Sequence, residues 1–213
     1  MASLAMTQTM KKIILGTTNP AKLEQIRMAL AGADIEIEGL PQNVELRSIS
    51  EDGTTAQENA HIKATAYAKA LGQPVLSMDV ALFFQSNPDD DQPGVHIRRI
   101  NGRTDRVTDE EIIQHYQAWI DRLGRIINGH YEFAFCLASP QGEHCETTVQ
   151  TPPRIFTSQL SKRLIPGYPL ESLSIDAASG HYISEMSPEE IQKYWENTIG
   201  PVLKPLIEDC PFL

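Results

Sequence analysis

Cysteine is scarce in this 213-residue chain: Cys136, Cys145 and Cys210 are odd in number and widely spaced, with no CxxC pair. That speaks against a disulfide scaffold and a cysteine zinc site, and it suits a reduced, cytoplasmic protein. Long apolar runs are missing too; none approaches the ~20 residues that span a bilayer, so no membrane partner is expected. Positive charge is in deficit, 18 Lys and Arg against 28 Asp and Glu, for a formal net charge of −10. A nonspecific nucleic-acid binder would carry a basic face, so none is expected here. Repeats, low-complexity tracts and a Gly-rich phosphate loop are all absent. Residues 1–10 lack the basic and apolar regions of a secretory signal. They are expected to form a disordered leader, leaving 11–213 as a single domain. What remains is an ordinary globular composition, 41% hydrophobic and 22% charged, over a length able to bury a substantial core.

One stretch stands out. The apolar run Ile13-Ile14-Leu15 ends at Gly16, the polar turn Thr17-Thr18-Asn19 follows, and an amphipathic helix carrying Lys22, Leu23, Ile26 and Leu30 begins. A strand entering a helix N-terminus this way presents free backbone N–H groups and the positive end of the helix dipole. Lys22 adds a full charge one turn in, so the turn suits an anion such as phosphate. The same residues would also serve as a plain Asx-turn and helix cap.

Patterning places helices over 20–31 and 55–71, a third starting at Thr108, and a last one starting at Ser187 and meeting Pro201 and Pro205. Capping boxes mark Thr55 with Glu58 and Thr108 with Glu111. Strands are expected over 35–40, over 74–78 with Asp79 at or near its end, and as a hairpin of 133–138 and 146–150 joined through Pro140-Gln141-Gly142. Residues 86–94 read as a solvated loop, and the run Asp89-Asp90-Asp91 within it as surface rather than a metal site. Alternating elements in the first half and a hairpin in the middle imply α/β architecture with a mixed sheet.

Two carboxylate positions carry the candidate chemistry. Glu51-Asp52-Gly53 is a turn ahead of the second helix, which bears Glu58-Asn59-Ala60 and Lys63; Asp79 follows the buried strand. Carboxylates in a turn and on a strand, with lysines on helices, are the ingredients of a Mg²⁺–phosphate site, because Mg²⁺ usually takes one or two carboxylates plus the substrate's own oxygens. Simpler roles exist for each: Glu51 and Asp52 as helix-dipole partners, Asp79 as a turn cap, Lys63 as a surface-reaching side chain. The six histidines show no close pair at metal spacing and are read as structural or exposed. Trp119 is read as core or interface, and Tyr194 and Trp195 as core or as a stacking surface.

Taken together, Thr17-Thr18-Asn19-x-x-Lys22, Glu51-x-Gly53, Glu58-Asn59-Ala60-x-x-Lys63-Ala64, Asp79, and Pro93-Gly94-Val95 ahead of Arg99 resemble one family in order and spacing. The chain is similar to the inosine triphosphatase family of purine NTP pyrophosphatases, closely over residues 12–100 and loosely from about residue 130 on. The resemblance implies an elongated mixed central sheet flanked by helices, two lobes with a cleft between them, and a homodimer. It implies Mg²⁺-dependent hydrolysis of a nucleoside triphosphate to the monophosphate and pyrophosphate. By position, Thr17, Thr18, Asn19, Lys22, Lys63 and Arg99 would hold the triphosphate. Glu51 and Asp79 would bind the metal, and Asp79 would act as the base.

Departures are concentrated in the part that reads the base. Asp-Asp-Ser-Gly-Leu of the family is Met78-Asp79-Val80-Ala81-Leu82 here, and Gly-Tyr-Asp-Pro is reduced to Gly167-Tyr168-Pro169. The late Ser-His-Arg has no counterpart; that stretch reads Tyr194-Trp195-Glu196-Asn197, with Ile191 in place of the usual lysine and Lys193 nearby. The expected activity is therefore pyrophosphatase chemistry with an altered base preference. The alternative is a catalytically impaired module that binds or senses a nucleotide through the retained phosphate site.

Overall fold

A computed structural model describes residues 10–41, 49–85, 91–103 and 107–213. The expected leader up to residue 9 and the part of the acidic loop that includes Asp89 and Asp90 lie outside the described residues.

The first strand, β1 (Lys11–Leu15), runs into α1 (Pro20–Ala29), and β2 (Ile35–Glu38) returns parallel to it. A long helix α2 (Ala56–Leu71) leads to β3 (Val75–Phe84), also parallel to β1. Both α2 and α3 (Asp109–Arg122) begin at the expected capping boxes, Thr55/Glu58 and Thr108/Glu111. The strands β4 (Ile126–Ala138) and β5 (His144–Gln150) form the expected hairpin, and short β6 (Arg154–Thr157) and β7 (Ser174–Asp176) follow. The chain closes with α4 (Pro188–Thr198) and α5 (Gly200–Glu208).

Among the described residues the sheet has seven strands in the order β2-β1-β3-β4-β6-β7, with β5 on the other half of β4. It is a mixed sheet flanked by helices, and it forks at β4. The first residues of β4 pair with β6 and the last seven with β5, while β3 pairs along ten residues of its other edge. The two faces differ in side-chain size. Leu76, Met78, Leu82, Phe84, Phe133 and Phe135 pack with α1, α3, α4 and α5 in one core. The opposite face presents Ala81, Ala134, Cys136 and Ala138 to the alanine stripe Ala56, Ala60, Ala64 and Ala68 of α2. Four small residues at helical i, i+4 spacing let α2 lie close against small residues of the strands. That close approach sets Lys63 directly over Asp79.

Three expectations need correction. Asp79 lies in mid-strand rather than at a strand end, because Val80–Phe84 continue the ladder against Phe133–Gly129. The hairpin's first strand starts at Ile126, not 133, since pairing with both β3 and β6 holds the polar Asn128, Gly129 and His130 extended. Pro201 does not end helical structure: it occupies the first turn of α5, where its missing N–H costs nothing, and Pro205 lies within that helix.

Candidate active site

Asn19 caps α1, its Oδ1 accepting from the Ala21 backbone N–H at 2.9 Å, and Pro20 opens the helix. Thr17 Oγ1 accepts from Asn19 N at 3.1 Å, which tightens the turn. Thr18 is exposed beside them. The first turn of α1 carries no acidic side chain, so its free N–H groups face no competing carboxylate of their own helix.

The Glu51–Gly53 turn is pinned by a residue that sequence reasoning quoted but gave no role. Asn59 is buried; its Oδ1 accepts from Gly53 N at 2.9 Å and its Nδ2 donates to Gly53 O at 3.4 Å. A Cβ at position 53 would meet Asn59 Oδ1 at 2.7 Å, so only glycine allows this clasp. Arg99 Nη2 donates to the Glu51 carbonyl at 2.9 Å and fixes the turn from the other side.

The buried ammonium of Lys63 joins the two carboxylates: its Nζ lies 2.7 Å from Asp79 Oδ1 and 3.2 Å from Glu51 Oε2. The carboxylates can be no farther apart than those two spans laid end to end, which is close enough to face one cation. Lys22 lies within their field. Lost hydration pulls its ammonium down to about 8, and Lys63 pushes the same way, while Asp79 and Glu51 oppose. Lys22 is thus a half-buried cation crowded by another, and it gains if an anion arrives.

The structure therefore places Thr17, Thr18 and Asn19 in one turn with Lys22 in the first turn of α1 behind them, and it brings Glu51, Lys63, Asp79 and Arg99 into a bonded group, of which Lys63, Asp79 and Glu51 bear on Lys22. Two carboxylates that already share a cation suit a hard divalent ion, whose remaining positions a phosphate's oxygens would fill.

From the far half of the chain, Gly167 lies against this turn. A Cβ on it would sit 3.2 Å from Asn19 Oδ1, its φ is +85°, and its N–H donates to Asp109 Oδ2 at 2.7 Å. Tyr168 hydroxyl donates to Gln25 Oε1 of α1 at 2.5 Å. Asp109 also pairs with Arg98 at 2.5 Å, and Arg98 is among the cations that bear on Lys22.

Sequence reasoning missed Arg154. Its guanidinium is fully buried, 2.5 Å from Glu171 Oε2, with Nε donating to the Tyr194 hydroxyl at 3.0 Å. It lies against the rings of Tyr131, Tyr194 and Trp195 at 4.9–5.6 Å. Trp195 is therefore core, in edge contact with Phe133 and Tyr194, and Lys193 points to solvent. Only a buried carboxylate elsewhere in the sequence could have signalled Arg154, and Glu171 sits in no motif. The reading of the histidines also needs correction: His61 and His144 come together with Glu146, because α2 packs across the hairpin.

Comparison with known proteins fits this geometry. The chain is 31% identical over 134 residues to a dITP/XTP pyrophosphatase of Exiguobacterium sp., covering 62% of this chain and 65% of that one, just under two thirds of the relative's length. It is 30% identical over 159 residues to the dITP/XTP pyrophosphatase of Prochlorococcus marinus, covering 71% and 74% of the two chains. Among solved structures it resembles the Staphylococcus aureus Ham1 protein, with a TM-score of 0.69 at 19% identity over 94% of this chain and all of that one. It likewise resembles a nucleoside-triphosphatase, dITP/XTP pyrophosphatase, of Mycobacterium abscessus, with a TM-score of 0.61 at 23% identity over 92% and 98%. The Ham1 family model matches residues 13–194, most of the chain, and the chain belongs to the Ham1 family.

Proposed function

We propose that this chain hydrolyses a nucleoside triphosphate to the monophosphate and pyrophosphate, clearing unwanted or modified nucleotides. The observation that carries the reading is the grouping of Glu51, Asp79 and Lys63 beside the Lys22-bearing turn. Glu51 and Asp79 would hold Mg²⁺, which when bound supplies charge neutralisation at the phosphoryl oxygens. Lys22, the α1 N–H groups and the Thr17 and Thr18 hydroxyls bind the polyphosphate; Lys63 and Arg99 add charge from the opposite side. Stabilising negative charge on the departing pyrophosphate is the main demand of phosphoryl chemistry, and these fixed donors meet it. Asp79 Oδ2, the oxygen not paired with Lys63, accepts the proton of the attacking water. Gly167, packed against Asn19, helps hold the turn in place.

The same reading includes a single domain over 11–213 and a homodimer, both on the strength of the family resemblance. It includes a cytoplasmic setting, which the three free thiols favour. No described helix is long and apolar enough to cross a membrane.

Pyrophosphate release with Mg²⁺ from ITP, XTP, dITP, dUTP and the standard NTPs tests the proposal; turnover of at least one triphosphate is expected. A nucleotide-binding module without catalysis is the second reading. It is favoured by the loss of the base-reading segment, whose Trp195 is committed to the core. Tight binding by calorimetry with no turnover of any triphosphate would establish it instead.

A further inference from the structure

Beyond the carboxylate pair, one further group among the described residues has metal-ligand character: His61, His144 and Glu146, whose ligand atoms all lie within 4.8 Å of one another. Glu146 faces Cys136 in the β4–β5 register, and His144, two residues earlier, projects from the same side of β5. His61 comes from α2, one turn beyond Gln57. Its Nδ1 is 2.6 Å from Glu146 Oε1, and His144 Nε2 is 4.0 Å from that same oxygen. The two imidazoles meet edge to face at 4.6 Å. Donors around a tetrahedral ion of zinc size are about 3.3 Å apart, and the observed spacings straddle that value.

Outer contacts orient two of the three ligands. Gln57 Nε2 donates to Glu146 Oε2 at 2.7 Å, leaving Oε1 to face the histidines. His144 Nδ1 lies 3.4 Å from the Gly142 carbonyl. A carbonyl only accepts, so Nδ1 is the donor there, and this turns the Nε2 edge of the ring toward Glu146 Oε1. Metal-bound histidines show this pattern, with the distal N–H given to a carbonyl. The buried Cys136 thiol, 3.9 Å from His61 Nδ1, floors the site. The open side is a cavity of about 700 Å³ lined also by Asp52, Gly53, Thr55 and Glu58.

We propose that His61, His144 and Glu146 bind a divalent transition-metal ion of the zinc class, with the fourth position open to that cavity. Two imidazoles and one carboxylate select such an ion over Mg²⁺. On binding, the proton that His61 Nδ1 shares with Glu146 moves through solvent to Nε2, and the metal takes its place, so neutral rings lose no net proton. The ion would staple α2 to the hairpin next to the Glu51–Gly53 turn.

The test is titration of the full chain, stripped with EDTA, by Co²⁺ and then Zn²⁺ in excess Mg²⁺. The readouts are the visible absorption of tetrahedral Co²⁺ and competition with a chromophoric chelator. One ion per chain is expected. His144→Ala, a half-exposed position, should abolish stoichiometric binding, and Gln57→Ala should weaken it about 10–100-fold. Asp79→Asn should leave the affinity unchanged. Absence of saturable 1:1 binding overturns the proposal, as does wild-type affinity in His144→Ala and Glu146→Gln. Loss of binding in Asp79→Asn would put the ion at the other carboxylates and overturn it equally.

Discussion

Raising the pH past 8 should disarm the phosphate turn through Lys22. Its ammonium is pulled down to about 8 by lost hydration and then by Lys63, against the opposing pull of Asp79 and Glu51. A group with that value is roughly nine-tenths charged at pH 7 and roughly one-tenth charged at pH 9, whereas an ordinary lysine stays charged throughout. If only the ammonium form takes up polyphosphate, kcat/KM falls about tenfold across that interval. The ratio kcat/KM is the informative quantity because it reports the free enzyme, while a bound polyphosphate restores the proton and leaves kcat less affected. The assay is pyrophosphate release at subsaturating triphosphate, with Mg²⁺ and ionic strength held fixed. Lys22→Arg supplies the control, since a guanidinium keeps its charge and should flatten the profile. Stability moves the other way. Between about pH 8 and the ordinary lysine value the unfolded chain binds the Lys22 proton and the folded chain does not. Folding therefore gains as pH rises through that window, and the desolvation cost is present in full below it. Activity falling while the Lys22 contribution to stability rises separates this effect from alkaline unfolding. A wild-type profile as flat as that of Lys22→Arg would refute the placement of Lys22 in a desolvated, cation-crowded turn.

The remaining predictions concern proton transfer, the buried ion pair and the glycine at the turn. Asp79→Asn should cut turnover about 10²–10⁴-fold while calorimetry still detects nucleotide binding; unchanged turnover would remove Asp79 as the base. Glu171→Gln strands the buried Arg154 guanidinium and should cost about 3–5 kcal/mol in urea unfolding. The double variant Arg154→Met/Glu171→Leu should cost much less, and equal losses would deny the pairing its role. Gly167→Ala forces a side chain into the left-handed region against Asn19. It should lose about 1–2 kcal/mol, with KM for the triphosphate rising, and a neutral result would show that this contact does not hold the turn.

The parts legible in the sequence are those whose signal is local. Asn19-Pro20, Thr55 with Glu58, Thr108 with Glu111 and Ser187-Pro188 with Glu190 each satisfy helix-end N–H groups within a few residues, and each cap forms where expected. The turn ahead of α1 was legible for the same reason: its cap and its free N–H groups are set by Asn19 and Pro20 within the turn itself. Pairing across the sheet carries no such local mark. Nothing in Ile126–His130 alone says that β6 will pair with its first four residues and β3 take over from Gly129. Arg154 shows the extreme case, because a charge so buried is tolerated only through Glu171 and the aromatic rings, partners from three other segments of the chain. The histidine cluster lies between these limits. Strand period puts His144 and Glu146 on one face once β5 is known to start at His144, two residues before the expected boundary. The third ligand could not be read, because His61 reaches them only through the packing of the alanine stripe of α2 against the small-residue face of β3 and β4. That packing also holds Lys63 against Asp79. One close helix–sheet contact thus sets both cation-seeking groups, and a bulky substitution at Ala60 or Ala64 should disturb the two together.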